Sequence, residues 1–163
     1  MKNNNSSIKP VVAVGIGAAL FFVLGRFVAI PSPVPNTNIS LQYAVLALLA
    51  AMYGPVVGGL IGFIGHTLID LSWGGSPWWS WVIASAFVGV VVGLFAKKLD
   101  LQEGEFGKKK MAAFTVANIA AHLLAWVVVA PVLDILIYAE PVKKVFAQGA
   151  FAAVSNIITA VVV

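Results

Sequence analysis

The chain has 163 residues, of which 61% are hydrophobic and only 10% are Asp, Glu, Lys or Arg. Soluble domains carry about 25% charged and about 45–50% apolar residues, so this composition, with a mean hydropathy of +0.99, excludes a water-soluble domain and a disordered one. The net charge of +4 does not indicate nucleic acid, because most of the basic residues lie between apolar stretches, as in membrane proteins.

Residues 1–9, with Lys2 and Lys9, form a short tail. The first apolar span is Val11 to Ile30, too long for the core of a signal peptide and without a cleavage-like end. Pro31, Pro33 and Pro35 stop it, and a polar loop with Asn36 and Asn38 follows. The second span runs from about Leu41 to Tyr53, and Gly54-Pro55 breaks it from a third, Val56 to Leu71. Trp73 to Pro77 turns the chain into a fourth span, Trp78 to Ala96. Residues 97–110 are the one long charged segment. A fifth span, Met111 to Ala130, leads through a less regular stretch, Pro131 to Pro141, to a sixth from about Val142 to Val163. The absence of a basic tail after Val163 leads us to expect that the natural chain continues.

Six spans of about 20 residues use about 120 residues. The expected fold is therefore all-α and integral to the membrane: one compact bundle of six transmembrane helices over residues 1–163. Lys2 and Lys9 precede span one, while Lys97, Lys98 and Lys108 to Lys110 follow span four. An even number of crossings puts both groups on one side, and the positive-inside rule makes that side cytoplasmic, with the N-terminus. Lys143 and Lys144 fit this pattern less well, since they begin span six near the outer face.

Ionisable groups inside membrane spans are costly, so each is a candidate for function. His66 and Asp70 are one helical turn apart, and Asn118, His122 and Trp126 share a stripe on span five. Arg26 lies near the outer end of span one, with Asn36, Asn38 and Gln42 in and beside the first outer loop. Trp73, Trp78, Trp79 and Trp81 crowd the second outer loop, and Asp134, Tyr138 and Glu140 the third. Tryptophan is common at membrane interfaces, but this cluster beside polar groups also suits a flat or ring-containing ligand. The candidate ligand-binding set is Arg26, Asn36, Asn38, Gln42, His66, Asp70, Trp73, Trp78, Trp79, His122 and Tyr138. In span one, Ala13/Gly17 and Gly15/Ala19 are small-residue pairs four apart, which suit close helix packing within the chain or against a partner.

Several chemistries are missing. There is no phosphate-binding glycine loop, no His-Glu-x-x-His and no Gly-x-Ser-x-Gly turn. Without cysteine there is no thiolate nucleophile, disulfide or cysteine metal site, and the two histidines lack metal-ligand spacing. No catalytic, metal or prosthetic-group site is expected.

The run Val11 to Leu20, the segment Tyr53-Gly-Pro-Val-Val-Gly-Gly-Leu-Ile-Gly-Phe-Ile-Gly-His-Thr-Leu-Ile-Asp70 and the block Trp78-Trp79-x-Trp81 resemble one family. It is that of the substrate-binding (S) components of energy-coupling factor (ECF) vitamin transporters, in the riboflavin/cobalamin-type branch. The resemblance implies a six-helix subunit, not an enzyme, that captures a vitamin on the extracellular side. It also implies partners: a transmembrane coupling (T) component and two cytoplasmic ATPase subunits. Cobalamin is the expected ligand and riboflavin the close alternative, with a membrane scaffold, a channel or an intramembrane enzyme as readings of other classes. In such proteins an Ala-x-x-x-Ala motif of helix one meets the coupling component. Its counterpart here is Ala13-x-x-x-Gly17, so Ala13, Gly15, Gly17 and Ala19 are the expected docking residues.

Overall fold

The computed structural model describes residues 5–98 and 107–162. Most of the expected 97–110 loop, and the start of the 1–9 tail, lie outside the described residues.

Helix α1 (Asn5–Phe27) crosses from the end of the bundle that carries the lysine segment, here the lysine end, to the opposite, tryptophan end. There, strands β1 (Ile30–Pro31) and β2 (Asn38–Ile39) pair antiparallel as a small hairpin, with Ile30 opposite Ile39. Asn36 takes a left-handed backbone conformation (φ 58°) in its loop, which Asn tolerates better than most residues. Helix α2 (Gln42–Tyr53) returns toward the lysine end, α3 (Pro55–Ser72) rises again and α4 (Trp79–Lys98) comes back. Gly54, at φ 89°, makes the α2–α3 corner, a conformation open to glycine at little cost.

The fifth span differs from its expected limits. Helix α5 (Lys108–Leu123), a π-helical segment (Leu124–Val129) and α6 (Ala130–Tyr138) form one continuous 31-residue rod. Pro131 was expected to end the span. It lacks the N–H of a regular turn and its ring would meet the carbonyl four residues back, and the wide π turn ahead of it lets the helix pass. Burial records this. Ala117/Asn118, Ala121/His122 and Ala125/Trp126 recur at intervals of four, and the next buried pair, Ala130/Pro131, comes after five. Helix α7 (Val142–Val162) closes the bundle.

Among the described residues, five spans are long and apolar enough to cross a bilayer. Helix α2, with 12 residues, is about 18 Å long, short of the roughly 30 Å hydrocarbon layer. The surface suits lipid: Val11, Val56, Leu136 and Val162, among many others, are fully outward.

A close seam joins α3 to α4. A Cβ on Gly58 would lie 2.5 Å from the Gly89 carbonyl oxygen, and one on Gly62 would lie 2.4 Å from that of Ser85. The glycines let the backbones touch, as small residues do between membrane helices. On this face of α3, Gly58 and Gly62 thus make a packed lower part, and His66 and Asp70 a polar upper end.

The small residues of α1 divide in another way. Ala13 and Gly17 face inward, and a Cβ on Gly17 would meet Ile61 Cδ1 at 2.5 Å and Leu49 Cδ1 at 2.7 Å. Gly15 and Ala19 face outward, and nothing lies within 4 Å of a Cβ on Gly15.

Candidate ligand-binding site

At the tryptophan end, α3, α4 and α6 converge on two carboxylates. Asp134, buried on α6, accepts hydrogen bonds from Trp78 Nε1 at 2.6 Å, Trp81 Nε1 at 3.0 Å and the Ser80 hydroxyl. Three neutral donors thus surround one carboxylate, and no Lys or Arg forms an ion pair with it among the described residues. Asp70, on the last turn of α3, accepts from the Trp78 backbone N–H at 2.8 Å. Trp78 therefore ties the two carboxylates together, one through its backbone and one through its indole. Its ring stacks on Tyr138 at a centroid distance of 4.0 Å and an angle of 21°, and the Tyr138 hydroxyl accepts from the Trp79 backbone N–H at 2.9 Å.

A polar chain continues inward. His66 Nε2 is 3.7 Å from Asp70 Oδ1, and its Nδ1 is 2.6 Å from Ser85 Oγ, which also lies 2.7 Å from the Tyr43 hydroxyl. Tyr43 presents edge-to-face contacts to His122 and Trp126, and Trp81 packs edge-on against Trp126. Trp126 Nε1 donates to His122 Nδ1 at 3.1 Å. The result is an aromatic column with polar atoms at set points, running from Asp134 toward the centre of the bundle. Quadrupole-matched edge contacts of this kind add to the burial of the rings themselves.

Of the expected ligand residues, His66, Asp70, Trp78, Tyr138 and His122 are gathered here. Both histidines neighbour Tyr43, His66 through the Ser85 hydroxyl and His122 by ring contact. Trp79 stacks loosely on Phe63, at 6.1 Å on the half-exposed outer face. Arg26 and Trp73 form a separate pair, the guanidinium 3.8 Å above the indole, a cation–π contact. Gln42 is buried beside the end of α1, where its Oε1 accepts from the Ser40 hydroxyl at 3.2 Å. Asn36 and Asn38 are exposed on the hairpin, and Gln148 Nε2 of α7 pins the hairpin loop through the Pro35 carbonyl at 2.8 Å. Among the described residues no three His, Asp or Glu side chains gather as a metal site.

Sequence reasoning placed Asp134 and Trp81 in this region without a ligand role, and it missed Tyr43, Ser80 and Ser85. A hydroxyl in an apolar helix is common, and its cross-helix partner cannot be read from spacing.

The family model of the ECF-type riboflavin transporter S component matches residues 5–163. The chain belongs to that family. It is 53% identical to a UPF0397 protein of Lactobacillus helveticus over 163 residues, covering 100% of this chain and 88% of that protein. A UPF0397 protein of Exiguobacterium sp. is 54% identical over 156 residues, or 96% and 85% of the two chains. The fold matches the crystal structure of the S component for biotin from an ECF-type ABC transporter, with a TM-score of 0.69 over 99% of this chain and 92% of that one. At 17% identity this likeness concerns the fold alone. The chain is thus an ECF S component, a multi-pass membrane protein whose family serves vitamin transport through binding.

Proposed function

We propose that this S component captures a ring-containing vitamin at its tryptophan end, and that riboflavin precedes cobalamin as the ligand. The observation that carries this reading is the Trp78–Tyr138 stack standing over Asp134. The outer face of the half-exposed Trp78 ring can stack on a flat conjugated ring. The family's name points the same way. The sequence-based expectation put cobalamin first; this reading puts riboflavin ahead of it on the aromatic stack and the family's name.

The tryptophan end is the extracellular one in this reading, since the opposite end carries Lys97, Lys98 and Lys108 to Lys110. Inward delivery then requires a coupling component and two ATPases, because the chain has no nucleotide-binding motif of its own.

Equilibrium titration of the purified protein with riboflavin, cobalamin and biotin, read by tryptophan fluorescence, tests the proposal. Riboflavin is expected to quench strongly and saturably. Binding of cobalamin alone reverses the order of ligands. If no vitamin binds, even with the coupling module present, the capture role is wrong.

The docking face follows from the split on α1. Gly15 and Ala19 are open to a partner, while Gly17 is filled by Ile61 and Leu49. Gly15→Leu is expected to leave vitamin binding unchanged and to weaken co-purification with the coupling component about tenfold. Gly17→Leu disturbs the bundle itself and lowers thermal stability. Normal assembly of Gly15→Leu with the module would remove this face from consideration.

A further inference from the structure

Hydrogen bonds run along one face of α5 at every fourth residue, with a single gap. Asn118 Nδ2 donates to the Phe114 carbonyl at 3.0 Å, and Trp126 Nε1 donates to His122 Nδ1 at 3.1 Å. Between these bonds, Asn118 Oδ1 and His122 Nε2 are both buried and have no hydrogen-bond partner. Both residues have 0% of their surface exposed, near the middle of a membrane-spanning rod. Buried polar atoms are nearly always satisfied, and hydrocarbon supplies nothing to satisfy them from outside.

The open atoms are complementary. Asn118, with its NH2 group committed, presents an acceptor. His122, accepting at Nδ1, carries its proton on Nε2 when neutral and presents a donor there. A group that fills the gap must accept from His122 and donate to Asn118. That requirement rejects a cation, which has nothing to accept with, and an anion, which has nothing to donate.

We propose that Asn118 and His122 form an internal station for one neutral group that accepts and donates a hydrogen bond, a buried water molecule. Water can fill such a gap, since it needs only two to four polar partners and little room. The station fixes the His122 tautomer and, through Nδ1, the Trp126 indole that packs against Trp81 and Tyr43. Asn118 is thereby a positioning residue for the aromatic column.

Nitrogen-15 NMR of His122 in the full chain tests the tautomer, with Nε2 protonated, Nδ1 bare and the Nε2 proton slow to exchange as the expected result. A crystal structure of the full chain is expected to show one density peak within hydrogen-bond distance of both atoms. A proton on Nδ1 overturns the proposal, as does an empty gap, and neither result depends on which vitamin binds.

Discussion

Asp134→Leu is expected to abolish vitamin binding, by about 100-fold or more, and to lower the stability of the protein by about 3 kcal/mol. The reason is the number of donors that share one acceptor. Trp78 Nε1, Trp81 Nε1 and the Ser80 hydroxyl all end on this carboxylate, and a stranded buried donor costs about 1–3 kcal/mol. Loss of the carboxylate also frees the Trp78 ring from its place against Tyr138, so the stacking surface loses its orientation with its anchor. Asp134→Asn should be milder, at about tenfold in binding. Its single carbonyl oxygen can keep two donors, but its NH2 group must then face the third. The expected order is Asp, then Asn, then Leu, in both riboflavin affinity and thermal midpoint in detergent. Natural affinity and melting for Asp134→Leu would show that the carboxylate does not organise the site.

The second large effect is at the α3–α4 seam. A Cβ on Gly89 would lie 2.2 Å from the Gly58 carbonyl oxygen and 2.3 Å from its carbonyl carbon. Backbone atoms in packed helices cannot swing away as a side-chain tip can, so even Gly89→Ala must push the helices apart. Overpacking of this kind costs about 1–3 kcal/mol, and the lost close contacts, including any Cα–H···O bonds along the seam, put the expectation at the upper end. Thermal unfolding of Gly89→Ala beside Gly15→Ala makes the comparison fair, because Gly15 has nothing within 4 Å of its Cβ position. Gly89→Ala should melt well below the natural protein and Gly15→Ala at the same temperature. Equal melting of the two variants would mean that the seam tolerates a methyl group.

Much of this architecture is legible in the sequence, since hydropathy marks the spans and the lysines mark one end. What escapes it has physical causes. Proline is read as a stop, and only a change of helix type explains why the fifth span passes Pro131. The hairpin pairs only two residues per strand, too few for any alternation to register. In the site, His66, Asp70 and His122 stand out because charge or imidazole is rare in a span. Tyr43, Ser80 and Ser85 do not, because their importance comes from partners 42 to 54 residues away in sequence. Gly17 illustrates the converse. Its spacing marks it as a packing residue, yet spacing cannot say whether Ile61 or another protein fills the notch.

The π-helical segment also sets angular phase. His122 and Asp134 are twelve residues apart, which on a regular α-helix puts them about 120° around the axis from each other. One residue absorbed into a wide turn takes back about 100°, leaving the two side chains on nearly the same bearing. The lower half of the rod can therefore aim Asn118 and His122 at the core, and the upper half can aim Asp134 at Trp78 and Trp81. The extra residue acts as a frame shift in space: a helix without it could present either half of the polar column to the interior, but not both.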